Sequence, residues 1–217
     1  FTALAEEMGA ALKRASFSPN IKERQDYSCA LFNPSGSAVS VGDHMPVHLG
    51  AMPMSVEAAL EELGSLEPGD VVCVNDPFRG GTHLPDITLI SAVHGPELRL
   101  LGYVASRAHH SDVGGSTPGS MPLAREIFEE GIRIPPVRLY QAGVLNEDLW
   151  KMVLANVRTP LERAGDLDAQ LGALHAGSTR LLEIAERRGV DATLAAMDSL
   201  IEYADRLIEA GLERIPD

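Results

Sequence analysis

The first apolar rhythm along the chain is helical: Leu4, Met8, Ala11 and Leu12 fall on one face of a 3.6-residue repeat within residues 1–16. From Asp26 to Val41 the rhythm changes. Tyr27-Ser28-Cys29-Ala30-Leu31-Phe32 ends at Asn33-Pro34-Ser35-Gly36, and Ser37-Ala38-Val39-Ser40-Val41 follows, which predicts two short strands joined as a hairpin. Residues 42–50, GDHMPVHLG, are irregular, and a helix is expected over 54–63, closing near Gly64. Pro68-Gly69-Asp70 turns the chain into a strand over 71–75, and two further strands are expected over 87–94 and 98–105, joined by Gly95-Pro96. From Asn146 onward the pattern is amphipathic and helical. It breaks at Thr159-Pro160 and again near Arg188-Gly189, where Asp191 is expected to cap a last helix that reaches Arg214.

These elements predict an α+β fold: a mainly antiparallel sheet region with long functional loops over residues 1–143, followed by a helical region over 144–217. Two polar, glycine-rich loops interrupt the sheet region, one over 76–86 and one running from about Ser106 to residue 136. The second is too long for a plain connector, and ordered loops of that length are usually functional. The chain also opens inside a helical pattern with no initiator Met, which suggests a piece of a longer protein.

Charge and composition narrow the function. Thirty-one acidic residues against 18 basic ones give a net charge of −13, and no stretch supplies the positive stripe that tracks a nucleic-acid backbone. The longest apolar runs fall well short of the roughly 20 residues a membrane span needs, and no basic segment precedes an apolar one as in a secretory signal. The two cysteines, Cys29 and Cys73, sit in the apolar strings SCALF and VVCVND and read as buried strand residues. That usage fits a reducing cytoplasm.

Histidine is the residue that concentrates. Six of the seven lie between residues 44 and 110, namely His44, His48, His83, His94, His109 and His110, with Asp43, Asp76, Asp86 and Asp112 nearby. A mixed imidazole and carboxylate set suits a divalent metal of intermediate hardness, and Mn, Fe and Zn all qualify. The sharpest pair is His83 and Asp86 in H-L-P-D, where Pro85 restrains the backbone between them. The strand that follows Asp86 and the strand that leads into A-H-H-S-D would bring His109 or His110 beside that pair. The plainer alternative for any one of these histidines is a hydrogen-bonded loop residue. Glu126, Glu129 and Glu130 in REIFEEGIRIPP can place a general base near a metal. Glu129 and Asp112 are the candidate catalytic carboxylates. No phosphate-binding G-x-x-x-x-G-K-[ST], no G-x-G-x-x-G and no G-x-S-x-G is present, so ATP binding and serine-type nucleophilic chemistry are not expected of this chain.

The strings SFSPNIKERQDYSCALF, HMPVHLGAMP, GDVVCVNDPFRGGTHLPDITLI, ASRAHHSDVGGSTPGSMP and EEGIRIPPVRL together resemble the hydantoinase B/oxoprolinase family, the B-type subunits of N-methylhydantoinase-like enzymes and of acetone- and acetophenone-type carboxylases. The resemblance implies a two-part enzyme in which an A-type subunit uses ATP and Mg to phosphorylate the substrate. The B-type part then opens a hydantoin or 5-oxoproline-like cyclic amide or, alternatively, couples an activated enol to carboxylate. It further implies a hetero-oligomer and a metal held by an H-x-x-D pair and a later histidine. Carried onto this chain, these are His83, Asp86 and His109, with Asp112 as a further or supporting ligand. A reading from another class is a metal-binding scaffold module with no chemistry of its own.

Overall fold

The computed structural model describes residues 1–42 and 44–213; Asp43 and Arg214, both singled out above, lie outside the described residues. The elements follow in the order α1 (Thr2–Ala15), α2 (Pro19–Lys22), β1 (Tyr27–Phe32), β2 (Ala38–Val41), α3 (Met52–Leu63), β3 (Val71–Val74), β4 (Asp86–His94), β5 (Leu100–His109), β6 (Val137–Gln141), β7 (Val144–Leu145), α4 (Glu147–Ala155), α5 (Pro160–Arg188) and α6 (Val190–Leu212). The strands form one seven-stranded sheet in the order β2-β1-β5-β4-β3-β6-β7. Every pairing in it is antiparallel. The fold is therefore α+β, with a helical C-terminal part.

Both faces of the sheet are covered. One face carries Ala30, Phe32, Val72, Ile90 and Ala105 against Met52, Val56 and Ala59 of α3. The other carries Leu31, Leu89, Val104 and Ala108 against Leu4, Met8 and Leu12 of α1 and Leu174 and Leu181 of α5. Burial on two sides is why β1 reads as a continuous apolar run rather than an alternating one. Helices α1 and α5 touch closely, and a side chain at Gly177 would meet Met8 Sδ at 2.4 Å.

The predicted hairpin is present. Asn33 Oδ1 accepts from the amides of Ser35 and Ser37, and Gly36 takes a φ of 83° that favours glycine. Three elements differ from the expectation. Strand β5 begins at Leu100 and runs on to His109, four residues beyond the expected Ala105, because the ladder to β1 continues to Ala108 and the ladder to β4 to His109. A β6–β7 hairpin turns at Ala142-Gly143, which the apolar pattern does not predict. Helix α6 begins at Val190 with Gly189 as its N-cap; Asp191 instead lies in the first turn and pairs with Arg99 Nη1 at 2.6 Å.

Candidate metal centre

The last rung of the central ladder pairs Asp86 of β4 with His109 of β5. Directly opposed residues in an antiparallel pair share a face, so both side chains leave the sheet on the α3 side. His83 comes from the loop just before β4. Its carbonyl accepts the Asp86 amide at 3.0 Å, which folds the H-L-P-D segment into a tight turn and returns the imidazole over the carboxylate.

Asp86 is the hub. His83 Nδ1 lies 2.8 Å from Oδ2, His109 Nδ1 lies 3.2 Å from Oδ1, and Thr82 Oγ1 donates to Oδ2 at 2.8 Å. His48, on a 3-10 turn over Pro46–His48, brings Nε2 to 3.5 Å from Oδ2. Asp26 closes the group, 3.8 Å from His109 Nδ1 and 4.0 Å from His48 Nε2. The ligand atoms of His83, Asp86 and His109 all lie within 4.8 Å of one another. Asp86 is 4% exposed at its side chain and His109 12%, whereas His83 is 39% exposed, so the group opens to solvent on the His83 side.

The electrostatics follow from this packing. Burial alone would raise the Asp86 pKa, but donors from His109, His48 and His83 and the charge of His83 outweigh it and hold the carboxyl well below its usual range. The same contact raises His83, with burial opposing and the charges of Asp86, Asp26 and Glu130 adding to the rise. An anionic oxygen surrounded by imidazole nitrogens, open on one side, is a donor set that fits a divalent transition metal.

Two supports hold the loops that carry these groups. Asn75, fully buried, donates to the carbonyls of Leu84 and Ile132 and accepts from the Ile134 amide at 2.7 Å, pinning both glycine-rich loops together. Arg107 is also fully buried; it donates to Thr88 Oγ1 and Ser55 Oγ, and Ser55 donates to the Gly80 carbonyl. Burial pushes the Arg107 guanidinium down to about 10. Gly80 has a φ of 81°, and a Cβ there would lie 2.3 Å from the Met54 carbonyl, so only glycine lets this loop press against α3.

The other candidates make different contacts. His110 points to the opposite face, where its Nε2 donates to Gln170 Oε1 at 2.9 Å. The choice between the adjacent histidines is thus made by strand alternation. Asp112 spends its carboxylate on the chain entering α5: Oδ1 accepts from the Gly114 amide at 3.0 Å, and Oδ2 accepts from the amides of Arg158 and Thr159. Glu129 accepts from the Arg125 amide at 3.4 Å; it is the charge of its neighbour Glu130 that reaches His83. Asp76 accepts from the Phe78 amide and faces Arg133. His44 packs between Gly9 and Gly42, and His94 lies at the far end of β4. No sequence pattern singles out Asp26 or gives His48 a role. Only the β1–β5 register, with Tyr27 opposite Ala108, brings the segment carrying Asp26 to this end of the sheet.

A family model described as hydantoinase B/oxoprolinase matches residues 1–217. The chain belongs to the hydantoinase B/oxoprolinase family. Among its relatives are 5-oxoprolinase 1 of Arabidopsis thaliana, 39% identical over 99% of this chain and 18% of that protein, and a protein of Pseudomonas sp. (strain NS671) named for the B component of a D-/L-hydantoinase, 32% identical over 99% and 37%. The crystal structure of an ATP-dependent caprolactamase from Pseudomonas jessenii superposes with a TM-score of 0.93 at 34% identity, covering 99% of this chain and 37% of that one. A nucleotide-free acetone carboxylase structure superposes at 0.84 with 22% identity, covering 93% of this chain and 27% of that one, which shows a shared fold. This hydantoinase B/oxoprolinase chain thus spans well under half the length of these relatives. Among its described residues, no helix is long and apolar enough to cross a membrane.

Proposed function

We propose that this chain is the metal-site part of the B-type component of an ATP-dependent hydrolase that opens hydantoin or 5-oxoproline-like cyclic amides. It works in a cytoplasmic hetero-oligomer with an A-type component that uses ATP and Mg to phosphorylate the substrate. The observation that carries the reading is the convergence of His83, Asp86 and His109 at the solvent-facing end of a buried sheet. The relatives above 30% identity whose names specify a substrate are named for cyclic amides, which supports hydrolysis over carboxylation.

A divalent ion (Mn, Zn or Fe) held by these three residues would supply Lewis-acid polarisation of a carbonyl or phosphoryl oxygen, or an acidified water. Asp86, ionised throughout the working pH range, provides the fixed negative charge of the site. His83 stands at the solvent-open rim, where an activated substrate would meet the cluster. Glu129, on the turn that also carries Glu130, is assigned the general-base role. Asp112 acts as a positioning residue that holds the chain entering α5.

The test uses the full-length protein mixed with its A-type partner and ATP. The expected result is ADP formation coupled to opening of hydantoin or 5-oxoproline, lost in His83→Ala and Asp86→Ala, with elemental analysis finding near-stoichiometric metal only in the parent. Full metal content in both variants would overturn the site. Turnover that requires bicarbonate and a ketone would reassign the chain to the carboxylases.

A further inference from the structure

His48 is an imidazole that nothing in the preceding assignment uses, yet it is 1% exposed and directed at the hub of the centre. Its hydrogen-bond accounting is restrictive. Nε2 faces two carboxylate oxygens, Asp86 Oδ2 at 3.5 Å and Asp26 Oδ1 at 4.0 Å. A bare lone pair there would oppose both negative charges, so Nε2 carries a proton. Nδ1 lies 3.1 Å from Ser28 Oγ, whose hydroxyl also reaches the Met45 carbonyl at 3.3 Å, so Ser28 ties the ring and its 3-10 turn to β1. Ser28 sits on β1 beside Arg107 of β5, two residues from His109, so the orientation of this ring is set by the same sheet that sets the cluster.

If His83 and His109 gave their Nδ1 atoms to a metal, the Asp86 carboxylate would lose both as hydrogen-bond donors. Among the described residues, two donors would then remain to orient it, Thr82 Oγ1 and His48 Nε2, and both address Oδ2. We propose that His48 and Thr82 are positioning residues that hold Oδ2 of Asp86 and thereby present Oδ1 to the metal. The inference rests on the metal reading above and adds to it the groups that aim the carboxylate. Removing such an outer partner weakens metal binding by roughly 10- to 100-fold while leaving the ligand set intact.

The experiment is a Zn2+ titration of the full-length protein against a chromogenic chelator, with metal-free melting temperature and bound metal at saturation measured in parallel. His48→Ala and Thr82→Val are expected to raise the dissociation constant about 10- to 100-fold at unchanged saturating stoichiometry. His48→Gln keeps an N–H donor and Thr82→Ser keeps the hydroxyl, so both are expected to recover most of the affinity. Thr82→Val serves alone should His48→Ala fail to fold. Affinity within twofold of the parent in the loss variants overturns the proposal, and so does a fall in saturating stoichiometry, which would make His48 a ligand. A parent that binds no Zn2+, Mn2+ or Fe2+ overturns the metal reading itself, a distinct outcome from either of these.

Discussion

Acidification offers a sharp test of the packing behind the candidate metal centre. His110 is fully buried, and burial pushes its pKa down from 6.5 to about 4; the Gln170 contact opposes this, the Arg163 charge adds to it, Asp166 opposes it and His109 adds to it. In the unfolded chain the same imidazole titrates near its ordinary 6.5. Between these values the unfolded state takes up a proton that the folded state refuses. The contribution is therefore intact above pH 6.5 and is lost as the pH falls toward 4. At about 1.36 kcal/mol per pH unit per proton, the step from pH 7 to pH 5 removes about 2 kcal/mol, a drop of roughly 4–8 °C in melting temperature for a chain of this size. The assay is chemical unfolding followed by circular dichroism at both pH values, for the parent and for His110→Gln, which keeps a donor for Gln170 but does not titrate. The stability gap between parent and variant should narrow by about 2 kcal/mol on going to pH 5. A gap that stays constant would refute the buried, neutral assignment.

Other consequences follow from the same contacts. Gln170→Leu fills similar volume but leaves the His110 donor without its acceptor and removes the amide donors to Ile87 and Ser106, so a loss of about 2–4 kcal/mol is expected in urea unfolding; a change under about 0.5 kcal/mol would contradict the network. Gly80→Ala forces a Cβ against the Met54 carbonyl at a φ of 81°, which should displace the loop carrying His83 and weaken metal retention on dialysis, with the far-UV spectrum unchanged. Burial pushes both Cys29 and Cys73 thiols up to about 12, so neither should react with a maleimide at pH 8 until the chain is unfolded.

The sheet and the helices are legible in the sequence because their signals are local. Apolar runs over 27–32 and 87–94 and the N-P-S-G turn need no knowledge of the partner strand. His83 and Asp86 are legible for the same reason, since three residues and a proline bind them into one turn. The ambiguity between His109 and His110 has a different origin. Adjacent strand residues face opposite ways, and which one faces the site depends on pairing with a strand more than twenty residues away. Asp26 and His48 are harder still, because they meet Asp86 only through the β1–β5 ladder and the 3-10 turn after β2. Asp112 illustrates the opposite limit: it lies three residues from His109 in the chain, yet its carboxylate is taken up by the amides of Gly114, Arg158 and Thr159.

The β4–β5 hairpin acts as a ruler. Its register runs unbroken from Asp86 opposite His109 to Val93 opposite Gly102 and shifts only near the turn, between Val93 and His94. Insertions and deletions are therefore not equivalent along it. Residues added at the Gly95–Arg99 turn lengthen the gap between the two halves of the motif and leave the centre untouched. A single residue lost within β5 slides every pair beyond it and would turn His110 toward the α3 face and His109 toward α5, whereas one lost within β4 would turn Asp86 away instead. Across descendants of this fold, the spacing between the H-x-x-D turn and the distal histidine should drift with loop length, while the three-residue spacing inside the turn cannot. A search that fixes the second spacing and frees the first is the one suited to finding this centre in diverged chains.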